Sequence, residues 1–202
     1  KQALFSNGWK ELYGDLIEWR AAQFGGKVVS VDPVKKIVVT EDEEVQADVL
    51  NYIPNQKASQ LAFDSGLVAD GKDWCDIHPK TFESKLVKNV HVIGDASNAA
   101  PMPKSAFSAS TQGKVVALQI ARMLKQQEPL NPPKLANTCY SLLSPNYGIS
   151  IAAVYNALDD KIQNVDGAGG VSPETDPDGH IRILEAKYAY AWYESQTADI
   201  FK

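Results

Sequence analysis

A glycine and a carboxylate end an apolar stretch near the middle of the chain, in the segment VHVIGDA at residues 90–96. Gly94 permits a ligand to approach the backbone closely, and the Asp95 carboxylate is an acceptor suited to the hydroxyls of a sugar or polyol. A helix is predicted to begin shortly afterwards, at about Ala106, and its first turn supplies unpaired N–H groups and a partial positive charge. The arrangement suits a ligand with a hydroxylated chain and a ring that acquires negative charge.

A reduced flavin is a ligand of this kind, because its ribityl chain carries hydroxyls and the N1–C2=O edge of its ring becomes anionic. The same Gly-Asp pair has a second interpretation, in which Asp95 caps the turn or the helix and contacts no ligand. Taken alone, the pair favours the capping interpretation, since a two-residue motif often occurs by chance. A choice between the two requires a longer match.

The two cysteines, Cys75 and Cys139, are too few for a disulfide scaffold or a zinc site. They can form one structural disulfide, remain as buried thiols or include a redox-active thiol, and the count alone favours the structural options. The three histidines, His78, His91 and His180, lack metal-binding spacing, and the sequence contains no GxSxG or P-loop signature.

The composition is that of an ordinary globular protein of 202 residues, with 44% hydrophobic and 22% charged residues and a net charge of -5. Charges of both signs are interspersed, which argues against a nucleic-acid-binding surface. No stretch approaches about 18 consecutive apolar residues, so no membrane span is predicted. The first residues, KQALFSNGWKELYG, lack an apolar signal-peptide core and read as the middle of a helical pattern, which predicts a piece of a longer protein.

Hydrophobic periodicity predicts a mixed α/β fold. Helices are predicted at residues 3–13, 57–64, 106–124 and 185–201, and the third of these is apolar nearly all round, which predicts a fully buried helix. Strands are predicted at residues 16–19, 27–31, 36–40, 45–54, 90–94, 138–143 and 148–156, with an acidic hairpin edge at 41–44. The strand at 90–94 is of the fully apolar kind found inside parallel sheets. Residues 159–180 are predicted to form a long, turn-rich loop.

A longer match favours the flavin interpretation of the Gly-Asp pair. VHVIGDA followed by PMPKSAFSASTQGKVVA resembles the second flavin-binding segment of the disulfide-reductase-like flavoproteins. Within that group the chain resembles the flavoprotein subunit of flavocytochrome c sulfide dehydrogenase. Six further segments resemble that family and follow one another in the family's order: NGWKELYG, LIEW, ADVLNYIPNQKASQLA, GKDWCDIHPKTFES, NTCYSLLSPNYGISIAAVY and YAYAWY. That family's subunit begins with a GxGxxG dinucleotide-binding fold, which this sequence lacks, so the resemblance implies a C-terminal half.

The resemblance also implies a domain organisation. The fold would be part of a two-dinucleotide-binding-domain flavoprotein, completed by a C-terminal α+β domain that covers the flavin. Residues 1–52 would be the remnant of the second nucleotide-binding-like domain, and residues 53–128 would be the second part of the FAD-binding domain. Residues 129–202 would form the C-terminal flavocytochrome c sulfide dehydrogenase domain.

FAD is the cofactor that the resemblance implies. Asp95 would bind the ribityl chain, and the loop at 101–105 would lie against the flavin ring, ahead of a helix directed at N1 and O2. Lys104 would add positive charge there, or else face solvent as an ordinary helix-start lysine. Trp192 would lie close to the flavin, or else pack the core of the terminal helix. The cofactor-binding candidates are Gly94, Asp95, Met102, Pro103, Lys104, Ser105 and Trp192.

Cys139 matches the family's C-terminal redox cysteine and is the catalytic candidate. In the family this sulfur pairs with a cysteine of the N-terminal half, sulfide attacks the disulfide to give a persulfide, and electrons pass through the flavin to a c-type cytochrome subunit. Cys75 would be structural or free, and a bond between Cys75 and Cys139 would contradict the assignment. Because the family works in the periplasm, a periplasmic location is expected.

Two alternatives remain open from the sequence. A sulfide:quinone oxidoreductase would use the same chemistry and dock to a membrane through an amphipathic C-terminal helix with a basic face. Here that helix carries Glu185, Glu194 and Asp199 and few cations, which favours a soluble partner. The second alternative is a non-catalytic fragment, since the pyrophosphate-binding loop and one redox cysteine are absent from the sequence.

Overall fold

The structure, a computed structural model, describes residues 1–201 and is a mixture of helices and two three-stranded antiparallel sheets. The helices are α1 (Gln2–Tyr13), α2 (Gln60–Asp64), α3 (Ala106–Leu124) and α4 (His180–Phe201). The strands are β1 (Val28–Asp32), β2 (Ile37–Thr40), β3 (Glu44–Gln46), β4 (Lys134–Ser144), β5 (Tyr147–Ala157) and β6 (Ile162–Val171). The mixed α/β class is confirmed, and none of the helices within residues 1–201 is long and apolar enough to cross a membrane.

The chain forms two compact units, one of which comprises Asn7–Asn55 and contains the meander of β1, β2 and β3. The turn between β1 and β2 follows from Asp32, whose carboxylate accepts the N–H groups of Val34 and Lys35 at 3.0 and 2.9 Å. The strands predicted at 27–31 and 36–40 are confirmed. Of the strand predicted at 45–54, only the first residues pair, in β3.

The strand predicted at residues 16–19 is wrong. The chain there leaves a short 3-10 helix, Gly14–Leu16, and continues without pairing to another strand. Leu16 has 86% of its surface exposed, so the short apolar run has no face to bury. A strand needs a backbone neighbour and a buried face, and a four-residue hydrophobic run guarantees neither.

The second unit comprises Lys1–Ser6 and the chain from Gln56 onward, and its sheet is the meander of β4, β5 and β6. The predicted loop at 159–180 is wrong in its first half, because Ile162–Val171 is the edge strand β6. Three glycines in IQNVDGAGGV suggested turns, but one of them, Gly169, allows β6 to pair closely with β5. A Cβ on Gly169 would lie 2.4 Å from the carbonyl oxygen of Ala152 on β5.

The parallel-sheet strand predicted at residues 90–94 is also wrong. His91 forms only an isolated bridge with Glu83, and the chain turns into the 3-10 helix Gly94–Ala96. A strand inside a parallel sheet requires hydrogen-bonded neighbours on both sides. Within residues 1–201 no named strand lies between β3 and β4, so this segment has no sheet to join.

Helix α3 has the predicted bounds but not the predicted all-round burial. Its buried residues are Ser108, Gln112, Val116 and Gln119, so its inner face is largely polar. Leu124 at its end is 81% exposed. Buried amides require partners, and those of α3 bind other segments of the unit. The Gln119 side chain, for example, accepts the N–H of Leu130 at 2.9 Å and donates to the carbonyl of Lys80 at 3.0 Å.

Helix α4 packs directly on β5. Gly148 is the point of closest approach, because a Cβ there would lie 2.4 Å from the backbone nitrogen of Ala186. Next to this contact, the buried carboxylate of Glu185 accepts hydrogen bonds from the hydroxyls of Ser150 and Ser172 at 2.7 and 2.8 Å. The helix is therefore held to the sheet by a close backbone contact and by a satisfied buried carboxylate.

We expect Gly148→Ala to lower the free energy of unfolding by about 1–3 kcal/mol, because the added methyl overlaps the α4 backbone, which cannot rotate away. Urea denaturation of the wild-type and variant proteins measures the change. Gly170→Ala on β6 is the matched control, since a Cβ there meets no atom within 4 Å. Equal stability losses for the two variants would contradict the close-packing explanation.

Candidate active site

A cavity of about 490 Å³ lies on the face of the second sheet that carries Cys139. Ile151 and Tyr155 of β5 share this face with Cys139, since Ile151 is its register partner and side chains four residues apart point the same way. Pro101 and Pro103, from the loop before α3, also line the cavity. The catalytic candidate and part of the predicted cofactor loop are thus brought together in one site.

The Cys139 sulfur is joined to the start of α3 through Asn137. Asn137 precedes Cys139 by two residues on β4, so both side chains lie on the same face. Its Nδ2 donates to Sγ of Cys139 at 3.2 Å, while its Oδ1 accepts from the hydroxyls of Ser105 and Ser108 at 2.6 and 3.0 Å. Ser105, a predicted cofactor-binding residue, is therefore linked to the Cys139 thiol through the Asn137 side-chain amide.

The N-terminus of α3 is capped by Ser105, whose hydroxyl accepts the backbone N–H of Ser108 at 3.1 Å. Ser105 has the extended backbone typical of an N-cap residue. The N–H groups of Ala106 and Phe107, in the same first turn, have no acceptor inside the helix. They give this end of α3 a partial positive charge that favours an anionic group.

Gly94 begins the 3-10 helix with φ of 66°, a conformation that favours glycine. Its N–H donates to Oε1 of Gln112 at 2.7 Å, which fixes the turn against α3. The Asp95 side chain is exposed, and its carboxylate accepts no hydrogen bond within residues 1–201. Its carboxylate is therefore available to a ligand hydroxyl, and the capping interpretation has no supporting contact within residues 1–201.

Lys104 is held against its own loop. Its ammonium group donates to the carbonyls of Asp95 and Ser97 at 2.6 and 2.8 Å and lies 3.7 Å from the ring centroid of Trp74. Burial lowers the pKa of Lys104, and the nearby charges of Asp95 and Cys75 partly oppose this effect. The ammonium group thus joins the two ends of the loop, while the residue as a whole is exposed to solvent, as the alternative expected.

Met102 and Trp192, like Gly94, Asp95, Lys104 and Ser105, are not among the residues that line the cavity. Met102 belongs to the buried core, and its sulfur contacts Nε2 of Gln112 at 3.7 Å. Trp192 stacks on Phe107 at the start of α3, with 6.1 Å between ring centroids, and also contacts Tyr140. Its contacts are those of a packing residue beside the helix start, although its buried indole N–H has no acceptor within residues 1–201.

The two cysteines have different environments. Both are free thiols, so the alternative of a bond between Cys75 and Cys139 is not realised. Cys75 is completely buried, and this burial raises the pKa of its thiol, with a further contribution from Asp76 and an opposing one from Lys104. Cys139 is partly exposed and faces the cavity. These differences favour a structural role for Cys75.

Three residues of the site were missed by the sequence interpretation. Gln112 lies four residues after Ser108, so their spacing along α3 gave a usable signal of a shared polar face. Asn137 had a weaker signal, its position two residues before Cys139 in a predicted strand. Tyr155 had none, yet burial raises the pKa of its phenol and the nearby Cys139 adds to the shift.

Comparison with known families shows which family the chain belongs to. Residues 1–54 match the family model described as sulfide dehydrogenase (flavocytochrome c) flavoprotein chain, central. Residues 131–201 match the model described as flavocytochrome c sulphide dehydrogenase, flavin-binding. The two ranges together cover more than half of the chain. The chain belongs to this family.

The resemblance inferred from the sequence is thereby confirmed, and so is a flavin as the cofactor, which is FAD in the flavocytochrome c sulfide dehydrogenase family. Cys139 and Trp192 lie inside the range that matches the flavin-binding model. Gly94 and Asp95 lie between the two matched ranges, so their assignment depends on the motif and on the geometry described above.

We expect iodoacetamide to modify Cys139 at neutral pH at least about 100-fold faster than Cys75, because only Cys139 faces a cavity and the raised pKa of Cys75 keeps its thiol protonated. Peptide mapping by mass spectrometry at timed intervals measures the two rates separately. In guanidinium chloride both thiols should react at similar rates, which serves as the control. Similar rates in the folded protein would show that Cys75 is accessible after all.

Proposed function

We propose that the intact protein is the flavoprotein subunit of a periplasmic sulfide dehydrogenase. It oxidises sulfide with FAD and a redox cysteine pair that contains Cys139, and it passes the electrons to a c-type cytochrome subunit. One observation carries the proposal: the partly exposed Cys139 thiol, which lies in the range that matches the family's flavin-binding model, shares a cavity with Pro101 and Pro103 of the loop before α3.

The residues present suit a flavin. The exposed Asp95 carboxylate would accept a ribityl hydroxyl, and the N–H groups in the first turn of α3 would favour the ring edge that becomes anionic. Pro101 and Pro103 offer a rigid, apolar wall for a planar ring. When bound, the flavin supplies an acceptor for two electrons. Lys104 supports this site indirectly, by holding the loop between Asp95 and α3.

The sulfur chemistry requires a second cysteine. Cys75 is unsuited to this role because its thiol is completely buried, so we propose that the partner of Cys139 comes from the N-terminal half of the subunit. Hydrosulfide attacks one sulfur of the disulfide, and a new S–S bond forms between substrate and protein. The original S–S bond breaks, and its electron pair remains on the other cysteine as a thiolate. The products are a protein persulfide and one thiolate.

One observation favours a second candidate, a quinone-reducing enzyme docked at a membrane. The argument from acidic residues on α4 is weaker than the sequence suggested, because Glu185 is buried against Ser150 and Ser172. The outer surface of the same helix exposes Tyr193 and Phe201. Since both matching family models name flavocytochrome c, a cytochrome remains the proposed acceptor.

We expect Cys139→Ser in the intact subunit to abolish sulfide-dependent reduction of cytochrome c while the flavin absorbance band is retained, because the attacked disulfide can no longer form. Stopped-flow absorbance with sulfide as donor measures the loss. Cys75→Ser is the control and should keep most of the activity. Offering a soluble quinone analogue to the wild-type protein separates the two acceptors, and faster electron transfer to the quinone would overturn the proposed cytochrome acceptor.

We expect Asp95→Asn to weaken flavin retention by about tenfold, because the charged acceptor for a ribityl hydroxyl is replaced by a neutral amide. The measurement is the flavin-to-protein absorbance ratio during dialysis of the intact subunit, which includes the pyrophosphate-binding loop. Asp70→Asn, on an exposed loop of the same unit, is the matched control. Unchanged retention in Asp95→Asn would remove Asp95 from the flavin site.

A further inference from the structure

The Asn137 amide forms a direct hydrogen bond to the Cys139 sulfur. The Asn137 Nδ2 lies 3.2 Å from Sγ of Cys139, which is short for a contact between an amide nitrogen and a sulfur. The Asn137 side chain is buried, with 3% of its surface exposed, so water does not compete for its polar atoms. An amide held in this way has to satisfy its donors and its acceptor within the protein.

The two serines of α3 determine which way the amide faces. The Ser105 hydroxyl accepts the N–H of Ser108, so its own proton is free to be donated, and it lies 2.6 Å from Oδ1 of Asn137. The Ser108 hydroxyl donates to the same oxygen at 3.0 Å. Two hydroxyl donors thus occupy the carbonyl oxygen, which lies 3.7 Å from Sγ of Cys139, and the NH₂ group is the nearer of the two amide groups to the sulfur, at 3.2 Å. The reverse orientation would leave the proton of Ser105 without this acceptor.

We propose that Asn137 is a positioning residue for Cys139, with an amide that Ser105 and Ser108 orient so that its N–H holds the sulfur and stabilises the thiolate. The inference rests on the proposed function only in giving Cys139 a redox role. Thiolate is both the attacking and the leaving form of sulfur in disulfide exchange, so a donor to the sulfur favours it in each direction.

Apolar side chains and two titratable residues also line the cavity around the sulfur. Ile151 and Ala153 make the surrounding cavity wall apolar, which on its own would favour the neutral thiol. The titratable groups that line the cavity with Cys139 are Lys1 and Tyr155. Burial raises the pKa of the Tyr155 phenol, which favours its neutral form. The Asn137 N–H is the neutral donor that hydrogen-bonds directly to the sulfur.

The decisive measurement is the rate of iodoacetamide alkylation of Cys139 as a function of pH, with the intact protein reduced beforehand and peptide mapping to separate Cys75. Asn137→Asp keeps an acceptor for both serines but turns a carboxylate oxygen toward the sulfur. We expect the midpoint of its profile to move upward by about one pH unit, with alkylation about tenfold slower at neutral pH. Asn137→Ala should shift the midpoint in the same direction.

Matched controls separate this effect from a loss of structure. Thr138→Ala alters the residue between Asn137 and Cys139, whose side chain lies on the other face of β4, and should leave the midpoint unchanged. Ser108→Ala, which removes one donor to the amide, should shift it by less than Asn137→Asp. A purely structural defect would change the unfolding midpoint, or the rate at every pH, without moving the profile.

The outcomes distinguish this inference from the proposed function. A profile for Asn137→Asp that overlays that of the wild type, in a variant that unfolds at the wild-type temperature, overturns the inference even if sulfide oxidation is confirmed. A shifted profile in a protein that does not oxidise sulfide supports the positioning role and rejects the sulfide dehydrogenase activity. Both results are readable without flavin, because alkylation reports only on the sulfur.

Discussion

The buried polar face of α3 is the feature on which the rest of the site depends. Buried amides and hydroxyls must find hydrogen-bond partners, since each one left without a partner costs about 1–3 kcal/mol. On this helix the partners are backbone and side-chain atoms of three other segments. Ser108 binds Asn137 on β4, Gln112 binds the N–H of Gly94, and Gln119 binds Leu130 in the connector. One helix therefore sets the positions of the thiol strand, the Gly-Asp turn and the connector.

This dependence explains how loops can carry a site with defined geometry. The segment from Asp95 to Lys104 contains no α-helix or strand of its own, yet hydrogen bonds fix both of its ends. Gln112 holds the turn that precedes it, and the Lys104 ammonium closes the loop onto the carbonyls of Asp95 and Ser97. Because loops move when their backbone groups bind only water, such contacts are what a cofactor-binding loop requires.

The sequence allowed the periodic elements to be predicted, and it failed where tertiary partners decide. Helix α3 and strands β4 and β5 are long and strongly patterned, so their positions could be read from the chain. Residues 90–94 have the composition of a buried strand, but pairing depends on neighbours that composition does not reveal. The strand β6 was missed for the opposite reason: its three glycines suggest a turn, whereas Gly169 allows close pairing with Ala152 on β5.

The candidate site shows the same division. Asp95 and Cys139 have side chains whose charge or reactivity suggests a role, so they could be found from a motif and from the family resemblance. The residues that orient them, Gln112 and Asn137, are neutral amides of a kind found throughout any protein surface. Their importance follows only from burial and from hydrogen bonds that span long sequence separations, such as 18 residues between Gly94 and Gln112 and 32 between Ser105 and Asn137.

The contrast between the two cysteines shows that position, and not residue type, determines thiol chemistry here. Cys75 lies in the core, where burial raises its pKa and nothing donates to its sulfur among the hydrogen bonds of residues 1–201. Cys139 lies on a sheet face beside a cavity, with an amide donor directed at its sulfur. A strand alternates its side chains, so the residue two positions before a thiol always shares its face. A buried amide at that position, anchored by the adjacent helix, is thus a simple way to place a donor beside a reactive sulfur without adding a charge.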